Sequence, residues 1–140
     1  RGGTSEARRI VYQAAPGAQV EIKGSEIVRG WTRHAGEVWK AVLPDSFFGS
    51  YNPYRDLIEG DWFTDKGRPH HTGDVYLNGK SLWEVERLDL VKDLQWFTES
   101  SGSETRIYAH FGGKDPNAET VEINVRESVF YPDRPGVNYI

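Results

Sequence analysis

Short apolar and β-branched runs, broken by Gly, Pro and Asn-Gly, recur along the whole chain, and the period that dominates them is two. Ile107, Ala109 and Phe111 alternate with Arg106, Tyr108 and His110, and Val121, Ile123 and Val125 alternate with Glu122, Asn124 and Arg126. Each run predicts a strand with one buried face. The turn-forming segment 112–117 between them (GGKDPN) predicts that they are sequential strands of one antiparallel sheet. In 74–84 (DVYLNGKSLWE), strand formers flank Asn78-Gly79, a pair that accepts positive φ, and a β-hairpin follows. The sequence leaves open whether the turn carries a bulge, and with it the face that Trp83 occupies.

A further strand is expected over 37–42, and two short ones at 10–12 and 20–22 around the Pro16-Gly17 turn. Leu88, Val91 and Leu94 stand three apart, which predicts one short helix within 88–97. Eight or so short strands with turn signals between them imply an all-β fold, an antiparallel β-sandwich.

The stretch 44–69 has no period. It holds Phe47, Phe48, Tyr51, Tyr54, Trp62 and Phe63 among Gly and Pro breaks, and reads as a long ordered loop with a helical turn at 54–59. Loops of this length inside a compact domain are uncommon and often carry function, so the candidate site falls here.

Composition narrows the chemistry. With 21 acidic and 17 basic residues the net charge is −4, which gives no electrostatic footprint for nucleic acid. The absence of cysteine removes disulfides, thiolate zinc sites and a cysteine nucleophile. No apolar run reaches the roughly 18 residues of a membrane span, so no membrane partner is expected. A start at Arg1 without Met is expected of a fragment. Five Trp, seven Tyr and six Phe supply flat apolar faces with polar handles, which suit sugar rings and sandwich cores alike.

Within 51–73, aromatic rings stand beside amide, carboxylate and imidazole groups, as a sugar binder requires for C–H faces and hydroxyl edges. Trp62 and Phe63 read either as platforms or as anchors of the loop, and Asn52 and Asp61 either as ligand contacts or as turn caps. His70 and His71 are adjacent, which makes a poor chelate on a strand, and no HExxH or Cys/His spacing supports a metal. Asp56, Glu59, Asp61, Asp65 and Asp74 are acid candidates by position only. No catalytic residue, metal or cofactor is assigned.

The segments GGTSEARRIVYQAAPGAQVEIKGSEIVRGW, NPYRDLIEGDWF, HHTGDVYLNGKSL, FGGKDPNAETVEINVR and VFYPDRPGVNYI carry a likeness over nearly the whole chain. They resemble bacterial right-handed β-helix proteins related to the β-xylosidases of glycoside hydrolase family 120 and to a xylan-binding module family of the same layout. The resemblance implies that 1–30 are a first β-helix rung, 31–129 an inserted sandwich resembling carbohydrate-binding modules, and 130–140 a returning strand. It also implies that the catalytic carboxylates lie on later coils, beyond this chain. A ligand-facing role passes by resemblance to Trp62 and His71, with Asn52, Tyr54, Asp61 and His70 as neighbours.

The expected function is therefore a non-catalytic module that binds plant cell-wall polysaccharide of the xylan type for a degrading system. The alternatives are a piece of a β-xylosidase-like hydrolase whose sandwich walls the active cleft, and a structural spacer or oligomer contact. The expected partners are a xylan-type polysaccharide or oligosaccharide and the remainder of a β-helix protein. A polysaccharide binder would be secreted or on the cell surface, and a β-xylosidase part cytoplasmic.

Overall fold

The computed structural model describes residues 2–132 and 134–140. Arg1 and Asp133, which the expected first rung and returning strand include, lie outside the described residues. The chain forms two compact units, one of Gly24–Glu127 and one of Arg1–Lys23 with Ser128–Ile140.

The larger unit is a two-sheet β-sandwich. One sheet has four strands: β1 (Ser25–Ile27), β4 (Val75–Leu77), β5 (Lys80–Ser81) and β9 (Val121–Asn124), in the order β1-β9-β4-β5. The other has five: β2 (Thr32–Ala35), β3 (Val38–Pro44), β6 (Trp83–Glu84), β7 (Gln95–Ser101) and β8 (Glu104–His110), in the order β2-β3-β8-β7-β6. All pairs are antiparallel except β6 with β7, so the second sheet is mixed where a wholly antiparallel one was expected. β1 falls within the first thirty residues yet pairs with β9.

The period-two faces meet in one core. Val75, Leu77, Val121 and Ile123 come from the first sheet, and Trp39, Ala41, Trp96, Ile107 and Ala109 from the second. The register places Ala109 opposite Trp39 on one side and Trp96 on the other. The methyl of Ala109, itself fully buried, leaves room for two indoles in neighbouring strands, the large-small alternation that close packing demands. Trp31 and Phe111 close the core with an edge contact at 5.0 Å.

The strands β3, β8 and β9 form where alternation places them, but β8 and β9 are not neighbours. The segment 112–120, with Gly112 and Gly113 both at positive φ, carries the chain from one sheet to the other. The helix expected within 88–97 is a single 3-10 turn, Leu88–Leu90. Leu94 then takes a left-handed conformation with its N–H on the His110 carbonyl at 3.1 Å, which turns the chain into β7. The hairpin has a two-residue turn in which Asn78 and Gly79 both hold positive φ (52° and 77°), as a type I′ turn requires.

The smaller unit has no strands among its described residues. Gly3 and Ile10 donate their N–H groups to Asn138 and Tyr139 carbonyls at 3.1 and 3.0 Å, and Ser5 bridges Arg8. The runs at 10–12 and 20–22, expected as strands, form none. Their apolar side chains are largely open to solvent: Val11, Tyr12, Val20 and Ile22 are all more than half exposed, and so are Phe130 and Tyr131.

Candidate functional site

Between β3 and β4 the chain makes the long excursion read from its lack of period. It opens with a short helix, α1 (Asp45–Phe48), which buries Phe48. The helical turn expected at 54–59 is instead a turn on Asn52, whose carbonyl accepts from the Arg55 and Asp56 N–H groups. The Asn52 side chain accepts from the Tyr54 N–H at 3.0 Å and donates to the Thr105 hydroxyl at 2.8 Å. Asn52 therefore caps the turn and ties the loop to β8.

Tyr54 is also absorbed by the fold. It is 1% exposed, sits between the Phe48 and Trp96 rings at 5.8 and 5.6 Å, and donates its hydroxyl to the Asp74 carbonyl at 2.6 Å. Burial, then the nearby Asp74 charge, pushes its phenol well above the ordinary range, so it stays neutral. Gly73 touches the ring so closely that a Cβ there would lie 2.7 Å from it. The structure thus places the ring of Tyr54, expected as a neighbour of the ligand-facing residues, in the core.

The two limbs of the excursion pair with each other above this base. The Ile58 N–H donates to the His70 carbonyl at 2.8 Å, Thr72 to Asp56 at 3.0 Å and Gly73 to Pro53 at 2.8 Å, with a bridge between Leu57 and His71. Residues 59–69 are left as the tip. There Trp62 is 75% exposed, its indole folded over Gly60 so tightly that a Cβ on residue 60 would meet Nε1 at 2.5 Å. Phe63 lies edge-on to Trp62 at 5.7 Å and to His70 at 5.2 Å. Asp61 is exposed, and no hydrogen bond or ion pair involves it among the described residues.

Glu84, on β6, locks the returning limb. One carboxylate oxygen accepts from His71 Nδ1 at 2.6 Å and the other from Arg68 Nη1 at 3.2 Å, and the His71 N–H points at the same group at 3.3 to 3.4 Å. All three side chains are less than one-fifth exposed. His70 bonds the Asp65 carbonyl through Nε2 at 2.9 Å, so the two histidines diverge. No cluster of three or more His, Asp or Glu placed to hold a metal exists among the described residues.

These elements enclose a groove. Its first part, about 440 Å³, is lined by Ile58, Phe63, Arg68 and His70; its second, about 180 Å³, by His71, Leu82, Trp83 and Glu84. Trp83 stands 68% exposed at that end. Of the residues expected at a site, His70 and His71 line the groove, Trp62 touches the groove residue Phe63 without lining it, and Tyr54 and Asn52 stand outside it. Sequence reasoning missed Arg68 and Glu84, whose pairing across sixteen positions leaves no trace in local pattern.

Asp74 lines the same groove with its carboxyl raised above the usual range. Burial is the main cause, opposed by hydrogen bonds from the Ser81 hydroxyl and the Val75 N–H. A raised native value means the folded state holds this proton more tightly than the unfolded chain. The resulting stability is present below the ordinary Asp range and is lost as pH rises through the raised value. Urea denaturation across the acid range is expected to show that slope in the wild type and its reduction in Asp74→Asn.

A two-sheet sandwich with one long loop pinned at its base defines a β-sandwich domain. Residues 28–95 and 90–123 match the glycoside hydrolase 120 insertion domain, and the chain belongs to that family. A solved structure of XylC in complex with xylose is similar, with a TM-score of 0.92 and 42% identity over 99% of this chain. The chain spans 26% of the length of that protein. No curated protein matches the chain.

Proposed function

We propose that this chain is the sugar-facing N-terminal part of a larger glycoside hydrolase 120-type protein, in which the loop at 57–71 walls a cleft for a xylan-type saccharide. In this reading Trp62 stacks on a sugar face, Phe63 backs it, and His70 and Arg68 offer hydrogen bonds to hydroxyls. Bond cleavage belongs to carboxylates elsewhere in the longer protein. The flanking unit is the first rung and returning strand of a β-helix. Support for that lies in its exposed apolar side chains, a surface that single small units rarely leave uncovered. The likeness to a protein solved with xylose supports the choice of sugar.

The observation that carries the proposal is the Trp62 indole, presented to solvent on a loop whose base is fixed. The test is made in the longer protein that contains this chain. Trp62→Ala is expected to raise KM for xylobiose about tenfold with kcat little changed, the roughly 1.4 kcal/mol that one lost stacking contact represents. Unchanged KM, or a longer protein with no activity on xylobiose or an aryl β-xyloside, sinks the reading.

A second reading, binding of polysaccharide by the sandwich itself, is favoured by the two solvent-facing indoles Trp62 and Trp83 on the one unit. Affinity electrophoresis of the 140-residue chain in soluble xylan separates the two. Retardation favours the second, and free migration the first.

A further inference from the structure

The hairpin turn at Asn78-Gly79 carries a chemistry of its own. The carboxamide carbon of an Asn is open to attack by the backbone nitrogen of the next residue, and glycine, with no Cβ, hinders that approach least. Both residues are exposed, and nothing stands within 4 Å of where a Cβ on Gly79 would lie. In the reaction the Gly79 nitrogen bonds to Asn78 Cγ, and the amide nitrogen leaves as ammonia with the proton that Gly79 gives up. Water then opens the cyclic imide. Opening at one carbonyl gives Asp at 78, and at the other an isoaspartate link.

The fold engages that carboxamide elsewhere. Asn78 Nδ2 donates to Glu119 Oε2 at 2.6 Å, and Oδ1 accepts from the Thr120 N–H at 3.1 Å. Only one orientation of the amide satisfies both partners, since a carboxylate accepts and an N–H donates. Glu119 is itself held, by Lys114 Nζ on Oε1 at 3.2 Å and by Arg29 Nη1 on its carbonyl at 2.7 Å. The Asn78 amide, then Lys114, keep the Glu119 carboxyl below its usual range, so the bond to Asn78 is charge-assisted. To turn onto the Gly79 nitrogen, the carboxamide must give up both contacts. The Asn78 N–H also donates to the Thr120 carbonyl at 2.8 Å, so the clamp extends the β4–β9 pairing one residue beyond Leu77 and Val121.

We infer that Asn78 is a site of spontaneous deamidation that Glu119 and Thr120 hold in check, and that its product unfastens the hairpin turn from the segment 112–120. A carboxylate at 78 brings no donor to Glu119 and sets like charge against it. An isoaspartate link adds a backbone carbon to a turn whose geometry depends on two residues of fixed φ.

The test incubates the longer protein that contains this chain in warm, mildly alkaline buffer and follows the Asn78 peptide by mass spectrometry, with isoaspartate measured alongside. Slow conversion is expected in the native wild type and fast conversion in urea. Native Glu119→Ala is expected to convert about three- to tenfold faster than native wild type, the range set by one lost hydrogen bond of average net strength. Glu119→Gln, which keeps an oxygen for Nδ2 without the charge, should fall between them. Tryptophan fluorescence reports the fold of each variant, and if Glu119→Ala proves unfolded, a Glu119→Gln rate above or equal to that of the wild type decides. In Asn78→Asp, hydrogen exchange at Thr120 is expected to quicken by a similar factor. No conversion in urea overturns the site. Conversion as fast in the native wild type as in urea, or a folded Glu119→Ala no faster than the wild type, overturns the restraint. Unchanged exchange at Thr120 in Asn78→Asp overturns the unfastening.

Discussion

Tyr54→Ala is expected to lower the stability of the sandwich by about 3–5 kcal/mol, the range for truncating a large buried ring. The ring fills the space between Phe48 and Trp96 and is in contact with Gly73, and little of that space can collapse. Tyr54→Phe isolates the hydroxyl. It leaves the Asp74 carbonyl without its donor and should cost about 1–2 kcal/mol. Urea denaturation followed by tryptophan fluorescence measures both. A ligand-facing tyrosine would behave differently, with sugar affinity falling and stability hardly changed, so the pair of measurements separates core filler from platform.

Glu84→Ala is expected to release the loop at 57–71 from β6. Arg68 and His71 both lose their carboxylate partner in surroundings less than one-fifth exposed. Removing one member of a shielded charge cluster costs up to about 3–5 kcal/mol in full burial, and about 1–3 kcal/mol is expected at this partial exposure. The effect should be local. Hydrogen exchange at Ile58, His71 and Thr72 is predicted to accelerate more than at β3 or β8, whose amides belong to the central ladder of the larger sheet. Glu84→Gln keeps an acceptor for the His71 N–H while losing the charge, and should fall between the wild type and Glu84→Ala. Equal protection of the loop in all three proteins would remove Glu84 from this role.

The pattern of residues carried the strands further than it carried their partners. Alternation located β3, β8 and β9 to within a residue or two, because a period of two follows directly from which side chains a pleated strand buries. It could not say that β8 and β9 sit in different sheets, since both bury a face in either arrangement. Asn78-Gly79 was legible because left-handed φ at two successive positions is a local requirement. The Leu88, Val91 and Leu94 spacing misled for the opposite reason. Three residues at helical intervals do not make a helix when Leu94 turns out of the helical region to join a sheet.

The candidate site divides along the same line. That 44–69 is a long irregular loop follows from its loss of period, and the exposed Trp62 lies within it. Which aromatic is filler and which is surface does not follow, because Tyr54 and Trp62 differ only in what the fold places beside them. Gly73, nineteen positions after Tyr54, closes over that ring, whereas Gly60 merely seats the Trp62 indole while leaving its outer face open. Glu84 carries no signal of its own among the acidic residues, and its meaning comes only from the return of Arg68 and His71 to β6.

The account stands most directly on where a sugar lies relative to Trp62, and the measurement is a crystal structure of the longer protein with a xylo-oligosaccharide bound. The predicted result is a sugar ring within about 4 Å of the Trp62 indole face, the separation of direct contact. A bound sugar elsewhere, with the indole packed against another part of the protein and out of its reach, would contradict the account.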